Sequence, residues 1–169
     1  MLVLGIDPGL AITGYGFLQE DDQGNIRTVK FGVIRTSSKI PIPQRLRIIY
    51  SDLQALIHLH KPDCGSVEKL FFQKNVRTAI NVGQARGVAI LALSQAEIPV
   101  FEYNPLEIKQ AVTGYGGADK MQIQLMIKAL LNLDSIPKPD DAADALAVGL
   151  CHLNSAKMRR LFDSVDETT

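Results

Sequence analysis

The chain opens on a short, nearly unbroken apolar run, residues 2–6, that stops at Asp7-Pro-Gly. Such a run suits a central strand covered on both faces, and the Pro-Gly that follows ends it. Residues 13–18 and 26–34 are β-rich and are separated by the polar stretch Gln19-Glu-Asp-Asp-Gln-Gly-Asn, the pattern of an antiparallel meander. After Pro43 the period changes. Leu46, Ile49, Tyr50, Leu53, Leu56 and Ile57 recur at three and four, which predicts an amphipathic helix over 43–60 that ends before Lys61-Pro62. The same reading gives a strand at 64–68, a helix at 76–96, a strand at 100–103, helices at 105–112 and 119–131, and a last helix from about 140 to 155.

Three meandering strands followed by helix-linked parallel ones predict an α/β fold: a mixed five-stranded sheet, three strands antiparallel and then two parallel, with helices on both faces. A chain of 169 residues fits one core. Residues 1–156 are therefore read as a single domain and 157–169 as a flexible C-terminal tail. A right-handed crossover sets the fourth strand beside the first. Asp7 and Glu68 then leave the carboxyl ends of neighbouring strands, where open α/β sheets bind ligands.

Four carboxylates interrupt or border these apolar segments: Asp7, Glu68 closing Gly-Ser-Val-Glu, and Asp141 with Asp144 in Asp141-Ala-Ala-Asp-Ala-Leu. Burying a carboxylate without a partner is costly, so their convergence predicts a compensating cation. Hard divalent ions such as Mg2+ take oxygen ligands and keep positions open for water and phosphate. Asp141 and Asp144, three apart on a helix, share a face. Asp140 shares a face with Asp144 as well, but it follows Pro137-Lys-Pro139 and reads as a capping acid. Capping explains Asp144 poorly, because it sits a turn inside a helix whose next twelve positions hold no charge other than a protonated His152.

Composition adds limits. With 46% hydrophobic and 21% charged residues the chain is an ordinary folded protein. The apolar opening is short and lacks a basic leader, and no run approaches the ~20 residues of a spanning helix, so a cytoplasmic protein without a membrane partner is expected. Cys64 and Cys151 form no Cys-x-x-Cys pair and read as buried thiols of a reducing compartment. Eighteen basic residues balance eighteen acidic ones, but neutralising the four acids leaves a positive excess. Residues 69–96 carry Lys69, Lys74, Arg77 and Arg86 with no acid, directly after Glu68. His58, His60 and His152 read as surface or core residues rather than ligands.

Several blocks in order, Gly5-Ile-Asp-Pro-Gly, Glu68 with Phe71-Phe-Gln-Lys-Asn, Gly83-Gln-Ala-Arg-Gly-Val, Lys109-Gln-Ala-Val-Thr-Gly-Tyr-Gly, Ala118-Asp-Lys and Asp141-Ala-Ala-Asp-Ala-Leu, resemble the RuvC-type crossover junction endodeoxyribonucleases. These are the bacterial Holliday junction resolvases of the ribonuclease H-like group. The resemblance covers the chain to about Leu153. It implies that Asp7, Glu68, Asp141 and Asp144 are catalytic metal-binding acids, and that cleavage leaves 5′-phosphate and 3′-hydroxyl ends. Two Mg2+ ions ~3.5–4 Å apart, with Mn2+ as a substitute, suit in-line hydrolysis of a phosphodiester. Asp7, central on the first strand, is the expected shared ligand.

One ring of the pair Phe71 and Phe72 is expected to stack or wedge at the branch point, the resemblance favouring Phe71, and Lys74, Asn75 and Arg77 are expected on phosphates. Lys109 and Lys120 bracket the glycine-rich Thr113-Gly-Tyr-Gly-Gly-Ala. The resemblance places both near the scissile phosphate, and Lys120 at a helix start opposes the macrodipole, which hints at such a use. Paired cuts across a four-way junction suit a homodimer. Gly83 and Gly87, with Ala79, Ala85, Ala89 and Ala92, give the 76–96 helix small residues for a partner helix or for the sheet. The family also implies work beside a RuvA and RuvB branch-migration complex. An actin-like or kinase-like ATP module would need a repeated second lobe, and the chain shows no repeat.

Overall fold

The computed structural model describes residues 1–69 and 76–166, apart from the side chains of 76–78 and 161–166. Its elements run β1 (Leu2–Asp7), β2 (Ile12–Glu20), β3 (Ile26–Arg35), α1 (Ile42–His60), β4 (Cys64–Glu68), α2 (Val76–Gln95), β5 (Val100–Tyr103), α3 (Pro105–Thr113), α4 (Lys120–Leu130) and α5 (Asp140–Asp166). The sheet order is β3-β2-β1-β4-β5. β1 pairs antiparallel with β2, and β2 with β3, whereas β4 lies parallel to both β1 and β5. The expected mixed sheet and its crossover are therefore present.

Alternation along the strands divides the core in two. Leu4 and Ile6 of β1 and Phe17 of β2 pack with Ile49, Leu53 and Ile57 of α1 and with Ala85, Ala89, Ala92 and Leu93 of α2. Val3 and Leu18 point the other way, onto α3, α4 and α5. The helix at 43–60 buries the stripe that its period predicted, Ile49, Leu53 and Ile57. Capping boxes start the two short helices: Asn104 with Glu107 for α3, and Asp119 with Gln122 for α4.

α5 departs from expectation. It runs to Asp166 rather than stopping near Ser155, so residues 157–166, read as tail, continue the helix. Two cations hold the extension: Arg160 reaches Glu20 at 2.7 Å, and the Arg159 guanidinium lies 5.5 Å above the Phe101 ring. No helix of the described residues is long and apolar enough to cross a membrane.

The far face also buries a polar group. His152, 2% exposed, lies 2.9 Å from the Tyr103 hydroxyl through Nδ1 and 3.2 Å from Cys64 Sγ through Nε2. Cys64 and Cys151 are free, buried thiols. Burial, and then the nearby Arg159, pulls the imidazole down to about 4. The unfolded chain takes up this proton near 6.5, the folded chain only near 4. Stability is thus fully present above pH 6.5 and is lost as pH falls toward 4, at up to about 1.4 kcal/mol per unit. In urea titrations across that window, the difference in stability between the parent and His152→Gln should show this slope.

Candidate active site

β1 and β4 end side by side. Their parallel register reaches Ile6 opposite Val67, so the next residues, Asp7 and Glu68, leave the sheet as neighbours. On its other flank Asp7 lies opposite Gly14 of β2. α5 descends onto these strands at two glycines. A Cβ on Gly14 would stand 1.9 Å from the Asp141 carbonyl oxygen, and one on Gly5 would stand 2.1 Å from that of Ala145. Only glycine permits such backbone contact. Ala142 and Ala145 of α5, both fully buried, supply the matching small surface. Glycine in the strands and alanine on the helix thus set how close Asp141 and Asp144 come to Asp7.

The charges act on one another. Burial first, then Asp144, Glu68 and Asp141, raise the Asp7 carboxyl to about 8, with partial relief from Lys120. Burial and Asp144 also raise Glu68. Burial raises Asp144 against the opposing pull of Lys120. Three elements therefore bring four carboxylates into one field, and each disfavours ionisation of Asp7. Oxygen donors so disposed fit a divalent cation, which removes the repulsion by taking the place of a proton. Among the described residues, no three acids, histidines or cysteines already stand in ligand geometry. A cation of the chain sits there instead: Lys120 Nζ is 3.1 Å from Asp140 Oδ2 and 3.5 Å from Asp144 Oδ2. Those acids hold the Lys120 ammonium above its ordinary range, although burial alone would lower it.

Beside the acids lies a hollow of about 210 Å³, walled by Glu68, Asp144, Lys109 and Lys120 with Ile108 and Ile123. It offers two cations facing two carboxylates, a chemistry suited to an anionic ligand that arrives with its own counterion. Asp140 is exposed and takes no part in the field on Asp7. Arg77 lies in the first turn of α2 with its side chain undescribed, and Phe71, Phe72, Lys74 and Asn75 lie outside the described residues.

Sequence reading missed two features. Arg86 belonged to the acid-free stretch, yet it is tied inward: Nε donates to the Glu68 carbonyl at 3.2 Å and Nη2 pairs with Glu102 of β5 at 2.6 Å. It braces the strand end that carries Glu68. Nothing in a basic stretch marks which cation turns inward. Gly5 and Gly14 were the other omission. Their signal was legible, since glycines in strands often mark close backbone approach.

A family model described as crossover junction endodeoxyribonuclease RuvC matches residues 3–152. A crossover junction endodeoxyribonuclease RuvC from Halothermothrix orenii is 56% identical over 161 residues, spanning 95% of this chain and 96% of that protein. Among solved structures, RuvC of Thermus thermophilus superposes with a TM-score of 0.86 at 35% identity, covering 94% of this chain and 96% of that one. The same protein in complex with Holliday junction substrate matches at 0.85 and 32% identity, with the same coverage.

Proposed function

The chain belongs to the RuvC family of crossover junction endodeoxyribonucleases, and from that premise we propose that it resolves four-way DNA junctions by paired, symmetric, metal-dependent hydrolysis of phosphodiesters during recombination and repair. The observation that carries the reading is the convergence of Asp7, Glu68, Asp141 and Asp144 from three elements of a ribonuclease H-like sheet, beside a hollow lined by Lys109 and Lys120.

Asp7, acted on by all three other acids, would be the ligand shared by two ions, with Glu68 to hold one and Asp141 with Asp144 to hold the other. When bound, Mg2+, or Mn2+ in its place, supplies charge stabilisation for the attacking and leaving oxygens of an in-line displacement. Lys109 and Lys120 orient the scissile phosphate by charge. Lys120, paired with Asp140 and Asp144, would be free to turn to the phosphate when cations hold the acids. Phe71, Lys74, Asn75 and Arg77 engage the branch point and its flanking backbone. The test is a labelled four-way junction and a linear duplex of the same sequence, each with and without magnesium. Paired nicks confined to the junction and dependent on the ion support the reading, whereas ATP hydrolysis without strand cleavage defeats it.

Paired cuts call for a homodimer, and α2 offers the surface. Its alanines face inward, with Ala85, Ala89 and Ala92 fully buried, while Ile80 and Leu91 are 57% and 49% exposed. Between these two, Gly87 has open space where a Cβ would stand. A second copy laid on this face would cover the two apolar side chains. Leu91→Glu should therefore yield a monomer in sedimentation that nicks single strands without pairing the cuts. The partners of the reaction, a RuvA and RuvB complex on the same junction, and a cytoplasmic location follow the family and the free thiols.

A further inference from the structure

A second hollow opens on the opposite side of the same crest. It measures about 360 Å³ and is walled by Gly9, Leu10, Arg45, Asn81 and Asp141. Asp144 lines the first hollow and Asp141 the second, so the two meet across α5, less than one helical turn apart. The first lies on the α3, α4 and α5 side of the sheet, while the second lies toward α1 and α2. A strand whose phosphate sits at the acids must leave the first hollow somewhere, and the second lies just across the first turn of α5.

Arg45 is built into that wall. Its Nε donates to Thr36 Oγ1 at 2.8 Å, and the Thr36 hydroxyl donates in turn to the Leu10 carbonyl. The Thr36 amide is bonded to Ala11 O and the Thr13 hydroxyl to Gly9 O, which fixes the loop that follows Asp7. The guanidinium is thus held by one edge in a half-buried setting, and among the described residues it makes no ion pair. An arginine held by Nε keeps its two terminal nitrogens for a bidentate anion. The surroundings share its sign: between Asp22 and Asp52 there is no acid, and Arg35, Lys39 and Arg47 are exposed close to Arg45 in the chain.

The geometry points to a backbone-phosphate subsite at Arg45 and Asn81 that grips the DNA strand one linkage away from the cut, with Arg35, Lys39 and Arg47 continuing the track along that arm. The subsite rests on the nuclease reading above and adds to it a ligand group and the residues that hold it.

Neutral linkages test this. In the full chain carrying Asp7→Asn, so that the junction is bound and not cut, affinity is measured in magnesium between about 50 and 200 mM salt. A methylphosphonate is placed singly at each linkage beside the cut. At one of the two, binding should weaken roughly tenfold, and Arg45→Gln should weaken the unmodified junction to the same extent. Arg45→Gln should also lower the salt slope by about 0.9 for each protomer engaged. Combined, the two changes should add little, while Arg27→Gln, at the far end of β3, should change nothing. If neither neutral linkage weakens binding by the parent, the subsite does not exist, whether or not the arginine variant folds. A folded Arg45→Gln with an unchanged slope overturns it equally. Either result leaves the nuclease reading intact provided the unmutated protein still cuts the junction; absence of cutting would instead remove the premise.

Discussion

Asp7→Asn is expected to reduce junction cleavage by about 10³-fold or more, since a carboxylate proposed to hold both ions would support several kcal/mol of transition-state charge stabilisation, and at the same time to make the metal-free protein more stable. The second half distinguishes this residue from an ordinary core acid. At pH 7 the unfolded chain holds Asp7 ionised, whereas the folded chain, with the carboxyl at about 8, draws a proton from solution to relieve burial and the repulsion of Asp144, Glu68 and Asp141. The folded pKa lies above the unfolded one, so the contribution of Asp7 to the stability of the metal-free protein is greatest below about pH 4 and is lost as pH rises toward 8. Asparagine has no charge to suppress. Its advantage is therefore nil in acid and grows across that window, to the order of a few kcal/mol at neutral pH. Magnesium should reverse the order, because the ion stabilises the parent through a ligand that the variant lacks. Melting curves at pH 5 and pH 8, with and without magnesium, read all four cases. A variant that melts below its parent without metal at pH 8 would show that the four acids do not share one field.

Most of the fold was legible because its elements obey one period each. Residues 43–60 announce themselves by three-and-four spacing, and 64–68 and 100–103 are short segments that each follow a proline closely, at Pro62 and Pro99, which the structure reproduces as β4 and β5. The end of α5 was not legible. The charged residues after Ser155 resemble a solvated tail until Arg160 meets Glu20, a contact across 140 positions that no local pattern encodes. The acids could be picked out because a carboxylate beside an apolar run is costly wherever it lies. Arg86 and Arg45 were harder, since an arginine suits a surface equally well. What separates them from Arg35 or Arg47 is an inward partner, the Glu68 carbonyl with the Glu102 carboxylate for one and Thr36 Oγ1 for the other.

Gly14→Ala should cost about 100-fold in turnover although it adds one methyl group to a residue with no chemistry. The new Cβ would lie 1.9 Å from the Asp141 carbonyl oxygen, and real Cβ contacts essentially never fall below 3.0 Å. The obstacle is helix backbone, which has no rotamer to retreat into, so the first turn of α5 must move off β2 by about an ångström. Displacement of that size at reacting groups is worth on the order of 10² in rate. Overpacking of this kind also costs typically ~1–3 kcal/mol of stability. Asp141 and Asp144 travel with the helix, while Asp7 and Glu68 stay with the sheet, so the loss should appear in kcat and in the magnesium concentration required. Junction affinity should hold, because none of the residues proposed to bind DNA lies on α5: they belong to α1, α2, α3 and α4, to Arg35 and Lys39, and to residues 71–75. Full turnover in a folded Gly14→Ala would mean that the spacing between α5 and β1 does not set the ligand geometry. The prediction thus makes the contact of two backbones, rather than any acidic side chain, the feature that completes the site.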